Sequence, residues 1–159
     1  GSIRIFVSKI SNYKVSSAVG EFTQKEKNFG LENHEVLIDF SHKVKKNKFD
    51  LINLLLDLKS KGNKIAAVSA PAKGMTLLNY CNINKDIIEF VTEKSKLKID
   101  RFTPGGQIPV YDDSALLKND IDYALLLAWN FSKEIIKNNN DFIKKGGKFI
   151  IPIPSPIII

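Results

Sequence analysis

The sequence is poor in the residues that build most reaction centres. It has one cysteine, Cys81, and two histidines, His34 and His42. A single cysteine cannot form an internal disulfide or a cysteine zinc site, and such usage fits a reducing cytoplasm, the expected location. The two histidines stand eight residues apart with no cysteine or acidic ligand at matching spacing, so they read as structural or surface residues and no metal site is expected. Arginine is scarce as well: only Arg4 and Arg101 among 24 basic residues. Sequence-specific DNA readers lean on arginine for bidentate base contacts, so the lysine excess argues against a nucleic-acid partner. No apolar run approaches the ~18 residues needed to span a membrane. The stretch from Phe149 to Ile159 is broken by Pro152, Pro154 and Pro156, and the opening GSIRIFV lacks the charged start and long apolar core of a signal peptide. No membrane partner is expected. GxGxxG, GxxxxGK[ST] and GxSxG are all missing, and no glycine-rich loop with a following acidic residue suggests an S-adenosylmethionine site. The chain therefore reads as a binding domain without its own catalytic residues.

What is present is ordinary globular material. The 159 residues are 43% hydrophobic and 26% charged, enough for one domain that buries roughly 70% of its unfolded surface. Net charge is +7. Because the lysines are spread along the chain, this is either a solvated basic surface or attraction for an anionic ligand.

Two halves differ in grammar. Residues 1–62 open with Ile3-Arg4-Ile5-Phe6-Val7, a strand candidate, followed by a helix from Ser17 to Phe29 that stops at Gly30. A second helix starts after Asn33, an N-cap residue, and runs to Ser60 before Gly62. Leu37, Phe40, Val44, Leu51, Leu55 and Leu58 recur at helical spacing. Its length allows a break near Lys45-Lys46-Asn47. Residues 63–159 repeat strand, loop and helix. Strands are expected at 64–68, 87–91, 108–110, 123–127 and 148–151, with helices at 76–80, 114–118 and 131–144. This alternation predicts a doubly wound, Rossmann-like parallel α/β sheet of about five strands, with the first helices packed on it as one domain. Strands 64–68 and 123–127 are expected to be neighbours.

In such a sheet, ligands bind beyond the carboxyl ends of the strands, where the strand order switches. Ser69-Ala70-Pro71-Ala72-Lys73-Gly74 lies there, offering small residues, a lysine and a helix start. It is either an anion site or an ordinary helix-starting turn. Trp129 and Asn130 follow the strand at 123–127. The indole either belongs to the core or stacks on a base or sugar, with Asn130 as donor and acceptor. Glu93 is either a ribose ligand or a surface carboxylate. Lys98 and Arg101, before the turn Thr103-Pro104-Gly105-Gly106, either meet a diphosphate or are solvated.

Taken together these segments resemble a known family. Ala70-Pro71-Ala72-Lys73-Gly74 with Thr76-Leu77-Leu78-Asn79-Tyr80-Cys81 is similar to the C-terminal domain of S-adenosylmethionine-dependent sugar C-methyltransferases. So are Thr103-Pro104-Gly105 with Ile108-Pro109, Leu125-Leu126-Leu127-Ala128-Trp129-Asn130, and Gly146-Gly147-Lys148-Phe149-Ile150 with Pro152-Ile153-Pro154. The opening Gly1-Ser2-Ile3-Arg4 resembles the Gly-Ser-Leu-Arg at which that domain begins. The likeness runs in order along the whole chain. It implies the last third of an enzyme that methylates a carbon of a nucleotide-linked keto-deoxysugar. The chain would bind no cofactor itself; S-adenosylmethionine and zinc would belong to absent domains, and the methyltransferase domain would be its partner. It implies substrate contacts from the Ser69–Gly74 loop, Trp129 and Asn130, with Glu93, Lys98 and Arg101 toward the nucleotide. Two departures stand out. The family's Tyr-Gly-Ala is here Val68-Ser69-Ala70, and its Asp-Arg-Asn is Glu93-Lys94-Ser95. The rival expectations are a stand-alone nucleotide- or coenzyme-binding module without catalysis, and a domain that only packs against a partner.

Overall fold

The structure is a computed structural model that describes residues 3–10 and 12–159. Gly1 and Ser2, the start of the resemblance, lie outside the described residues. The chain divides into two compact units at 42/43, inside one helix, whereas the change of grammar in the sequence falls at 62/63.

The first unit holds helix α1 (Ser17–Phe29) and the beginning of α2 (His34–Ser60). Both start and stop where the sequence signals them. The Ser16 hydroxyl accepts from the Ala18 N–H at the start of α1, and Gly30 at φ 83° closes it in the left-handed conformation. The Asn33 side chain accepts from the Glu35 N–H at 2.9 Å to begin α2. No break occurs near Lys45-Lys46-Asn47; α2 is continuous. The strand expected over Ile3–Val7 does not form. Strand pairing needs a neighbour, and among the described residues none lies alongside, so Ile5, Phe6 and Val7 are exposed.

The second unit is a seven-stranded sheet in the order β3-β4-β2-β1-β5-β6-β7. The strands are β1 (Ile65–Val68), β2 (Val91–Glu93), β3 (Arg101–Phe102), β4 (Pro109–Asp112), β5 (Tyr123–Leu126), β6 (Lys148–Ile151) and β7 (Ile157–Ile158). The five inner strands β4-β2-β1-β5-β6 are all parallel, and the two-residue strands β3 and β7 close the edges antiparallel. As expected, β1 and β5 are neighbours, paired from Ile65↔Tyr123 to Val68↔Leu126. The fold is a Rossmann-like α/β domain.

The two-residue periodicity of a strand sends alternate side chains to opposite layers. Ile65, Ala67, Leu125 and Ile150 pack against Leu51, Leu55 and Leu58 of α2 and against Leu77 and Leu78 of α3 (Ala72–Cys81). Ala66, Val68, Ala124, Leu126 and Phe149 face Leu116 of α4 (Ala115–Lys118) and Phe142 of α6 (Asn140–Lys144). A strand covered on both faces needs a continuous apolar run, which is why the central strands β1 and β5 read as Ile-Ala-Ala-Val and Tyr-Ala-Leu-Leu.

Two further expected elements are corrected. The strand expected at 87–91 is shifted to β2, because the N–H groups of Ile87 and Ile88 turn back onto the Asn84 carbonyl at 3.1 and 3.0 Å. The single helix expected over 131–144 is a 3-10 turn at Trp129–Phe131, then α5 (Ser132–Asn138) and α6. Asn139 breaks it by donating its side-chain N–H to the Ile135 carbonyl at 2.8 Å. Among the described residues no helix is long and apolar enough to cross a membrane.

Asn47 is buried, and its amide donates to the Pro152 and Pro154 carbonyls at 2.8 and 2.9 Å. It ties α2 to the proline-rich segment after β6. Asn47→Ala removes both donors and leaves those carbonyls without this partner. The expected loss is about 1–3 kcal/mol, read as a lower urea midpoint at an unchanged m-value.

Candidate functional site

The site is built around the carboxyl end of β1, where the connections of β1 and β5 leave in opposite directions. After β1 the chain turns sharply at Ser69, whose N–H donates to the Thr92 carbonyl at 2.9 Å and whose φ is 71°. A side chain in the left-handed region costs roughly 1–2 kcal/mol, which glycine would avoid. Ser69 thus occupies a glycine-favouring turn, where the resembling family has its glycine.

Pro71 then caps α3 without a side-chain bond. Its carbonyl accepts from the N–H groups of Gly74 at 2.9 Å and Met75 at 3.1 Å. The Gly74 N–H is therefore engaged, which leaves Ala72 and Lys73 as the helix-start N–H groups without an acceptor among the described residues. Gly74 has a different use. A Cβ there would lie 2.6 Å from the Leu127 Cβ, so glycine lets the start of α3 touch the end of β5.

That approach brings the two expected loops together. The Lys73 ammonium sits 4.4 Å above the centre of the Trp129 ring and donates to the side-chain amide oxygen Oδ1 of Asn130. Lys73, Trp129 and Asn130 form one cluster across β1 and β5. Trp129 is half-buried against the core, the first of the two alternatives, and its ring face meets the Lys73 cation.

Glu93 and Lys98 converge differently. One Glu93 carboxylate oxygen accepts from the Lys94 and Ser95 N–H groups at 2.9 and 3.2 Å. The other accepts from the Ala70 N–H at 3.1 Å and the Lys98 ammonium at 3.2 Å. Lys98 also donates to the Ala70 carbonyl at 2.9 Å. Both side chains are thus engaged with each other and with the β1 loop. Burial pushes the Glu93 carboxyl up, but the Ser95 N–H, the Lys98 ammonium and the Lys94 and Ala70 N–H groups outweigh it, holding the group below its ordinary range.

Arg101 lies on β3, and among the described residues it makes no ion pair. The Thr103-Pro104-Gly105-Gly106 motif is the hairpin between β3 and β4. The Thr103 hydroxyl accepts from the Ile108 N–H at 3.0 Å, and Asn79 of α3 donates to the Pro104 carbonyl at 3.2 Å. The hairpin holds Arg101 beside Ala70, Ala72 and Lys98 at the rim of a cavity of about 360 Å³. A second cavity of about 300 Å³ opens at the ends of β1, β2 and β5, bordered by Ser69, Glu93, Ala128 and Phe131.

Two groups escaped the sequence analysis. Phe102 and Met75 give the first cavity its apolar wall, and a two-residue edge strand carries no periodic signal by which Phe102 could be found. Asp113 borders the second cavity. Burial raises its carboxyl above the ordinary value against the pull of Lys94, with Asp112 and Glu93 adding repulsion. It follows β4 directly, so the rule that placed Glu93 at a strand end would have found it too.

A mostly parallel sheet with a crevice where its strand order switches defines a Rossmann-like domain in architecture. Over residues 1–154 the chain matches the C-methyltransferase C-terminal domain, and it belongs to that family. It is similar to the C-methyltransferase NovU of Streptomyces niveus, with 32% identity over 160 residues. The match takes in 100% of this chain and 38% of that protein, so the chain spans well under half of its relative's length.

Two substitutions separate strain from packing in the β1 loop. Ser69→Gly is expected to stabilise the fold by about 1 kcal/mol by relieving the left-handed serine. Gly74→Ala is expected to destabilise it by about 1–3 kcal/mol through overpacking against Leu127. Denaturant titrations of the two variants check both signs.

Proposed function

We propose that this chain is the substrate-binding C-terminal part of an S-adenosylmethionine-dependent C-methyltransferase, and that it holds a nucleotide-linked keto-deoxysugar. Membership of the C-methyltransferase family supports the reaction class. The observation that carries the ligand reading is the Lys73–Trp129–Asn130 cluster at the switch of strand order. A cation, an aromatic face and an amide suit an anionic phosphate, an apolar sugar or base face, and hydroxyl or carbonyl groups respectively. Arg101 at the neighbouring cavity offers a second contact for a diphosphate.

On this reading the chemistry is divided. S-adenosylmethionine, bound elsewhere in the full-length protein, supplies the methyl group. Removal of the proton beside the sugar's keto group also falls to residues outside this chain. The residues here would orient the sugar, and holding reactants in place can lower a barrier by several kcal/mol. The zinc that the resemblance implies does not fit this part: among the described residues no group of three His, Cys, Asp or Glu side chains is placed to hold a metal. The Ser69–Gly74 turn is likewise no glycine-rich cofactor loop. The isolated chain would then be inactive, and the protein would work in the cytoplasm.

Calorimetric titration of a dTDP-linked 4-keto-6-deoxyhexose into the chain tests the ligand reading. A charge-assisted contact is worth about 1.5–3 kcal/mol. Lys73→Ala should therefore weaken binding by roughly tenfold or more, at ~1.4 kcal/mol per decade. Its affinity should also depend less on salt than the wild type's. Asn130→Ala should weaken binding too while retaining the wild-type salt dependence. Unchanged affinity in Lys73→Ala with an intact melting curve would sink the reading. Micromolar binding of S-adenosylmethionine by this chain would overturn the division of labour.

A further inference from the structure

Four hydrogen-bond donors from three segments converge on the Glu93 carboxylate: the N–H groups of Ala70, Lys94 and Ser95, and the Lys98 ammonium. The donors come from the turn after β1, from the chain following β2, and from a side chain five residues further on. Backbone N–H groups that point inward from successive turns, joined by a cation, form the kind of concavity that binds small oxyanions. The Glu93 side chain is 13% exposed, and each carboxylate oxygen takes two donors. We propose that these donors form an oxyanion site and that Glu93 is its built-in occupant, a tethered anion that keeps the site closed to phosphate and other small anions from solution.

The Ala70 N–H belongs to the loop that would cradle a ligand phosphate in a dinucleotide-binding relative of this architecture. Here that N–H is already taken by an internal carboxylate. Lys98 is occupied twice over, by Glu93 and by the Ala70 carbonyl. Any anionic ligand at this edge of the sheet must therefore be met by groups outside this set. The same carboxylate positions the loop, since it joins the end of β1 to the end of β2 across Ser69 and Ala70. Glu93 and Lys98 are positioning residues under this assignment, with the carboxylate acting as a fixed stand-in for a bound anion.

Removing the carboxylate while leaving its donors should turn the position into a receptor for a free anion. Glu93→Ala is expected to lower Tm by roughly 2–4 °C, and formate or acetate should restore part of that loss in a concentration-dependent way. Chloride at the same ionic strength should not. Glu93→Gln keeps the position filled, so it should be destabilised without being restored by formate. Equal restoration of the two variants, or none in Glu93→Ala, would overturn the proposal. The wild-type protein supplies an arm that does not depend on a variant folding. In a titration with inorganic phosphate, the amide resonances of Ala70, Lys94 and Ser95 should stay in place, and saturable movement of those three would equally overturn it. No nucleotide sugar enters either measurement, so the outcome is independent of the proposed function.

Discussion

Burial of β1 and β5 on both faces is the constraint from which the rest of the architecture follows. Ala66, Ala67, Leu125 and Leu126 have no exposed surface, and the two strands pair over four residues. Parallel neighbours cannot be joined by a tight hairpin; each connection must cross back over a face of the sheet. The loops after β1 and β5 consequently start from the same edge and diverge to opposite faces. That geometry alone makes a crevice, and Gly74 narrows it by letting α3 rest directly on Leu127. Lys73, one residue earlier, then lies within reach of Trp129 and Asn130. The candidate site thus depends on a packing contact beneath it as much as on the polar residues that face solvent.

Much of this fold was legible because buried parallel strands announce themselves as short apolar runs bounded by turns. Ile65–Val68, Tyr123–Leu126 and Lys148–Ile151 were found within a residue or so, and so were α1 and α2, whose Ser16, Gly30 and Asn33 caps act locally. What escaped depends on distant partners. Ile3–Val7 has strand composition but no strand beside it among the described residues. Ile87 and Ile88 are apolar, yet a turn onto Asn84 claims their N–H groups. The edge strands β3 and β7 are two residues long, too short to leave a pattern. Asn139 ends a helix through one side-chain bond that helical periodicity cannot register.

The site was legible to the same depth. The rule that ligands lie where strand order switches needs only the strand order, and it brings the loops of Lys73, Trp129 and Asn130 together. The rule could not say which polar groups would satisfy each other. Glu93 and Lys98 stand five residues apart in sequence, and nothing in that spacing reveals that both fold back onto Ala70, 23 and 28 residues away. Ser69 is the converse case. Its departure from the family's glycine was visible, but its meaning emerges only from a φ of 71°, which makes the side chain a source of backbone strain.

Net charge is a poor guide to where this domain could attract an anion, and the local pairing pattern explains why. The chain carries +7, but exposed lysines spread over the surface are screened beyond about 8–10 Å at physiological salt and focus no field. Four cations lie near the crevice, of which Lys94 is paired with Asp113 at 3.9 Å. Lys98 is neutralised by Glu93, so its contribution at a distance largely cancels. Lys73 rests on an aromatic ring and a neutral amide, neither of which carries a compensating charge. Arg101 has no carboxylate partner among the described residues and lines the first cavity. The uncompensated positive charge at this edge therefore resides on Lys73, in the first turn of α3, and on Arg101 of β3. The first N–H groups of α3 add the positive end of the helix dipole beside Lys73. Under the proposed function these are the groups left to meet an anionic ligand, since the donors around Glu93 are already filled.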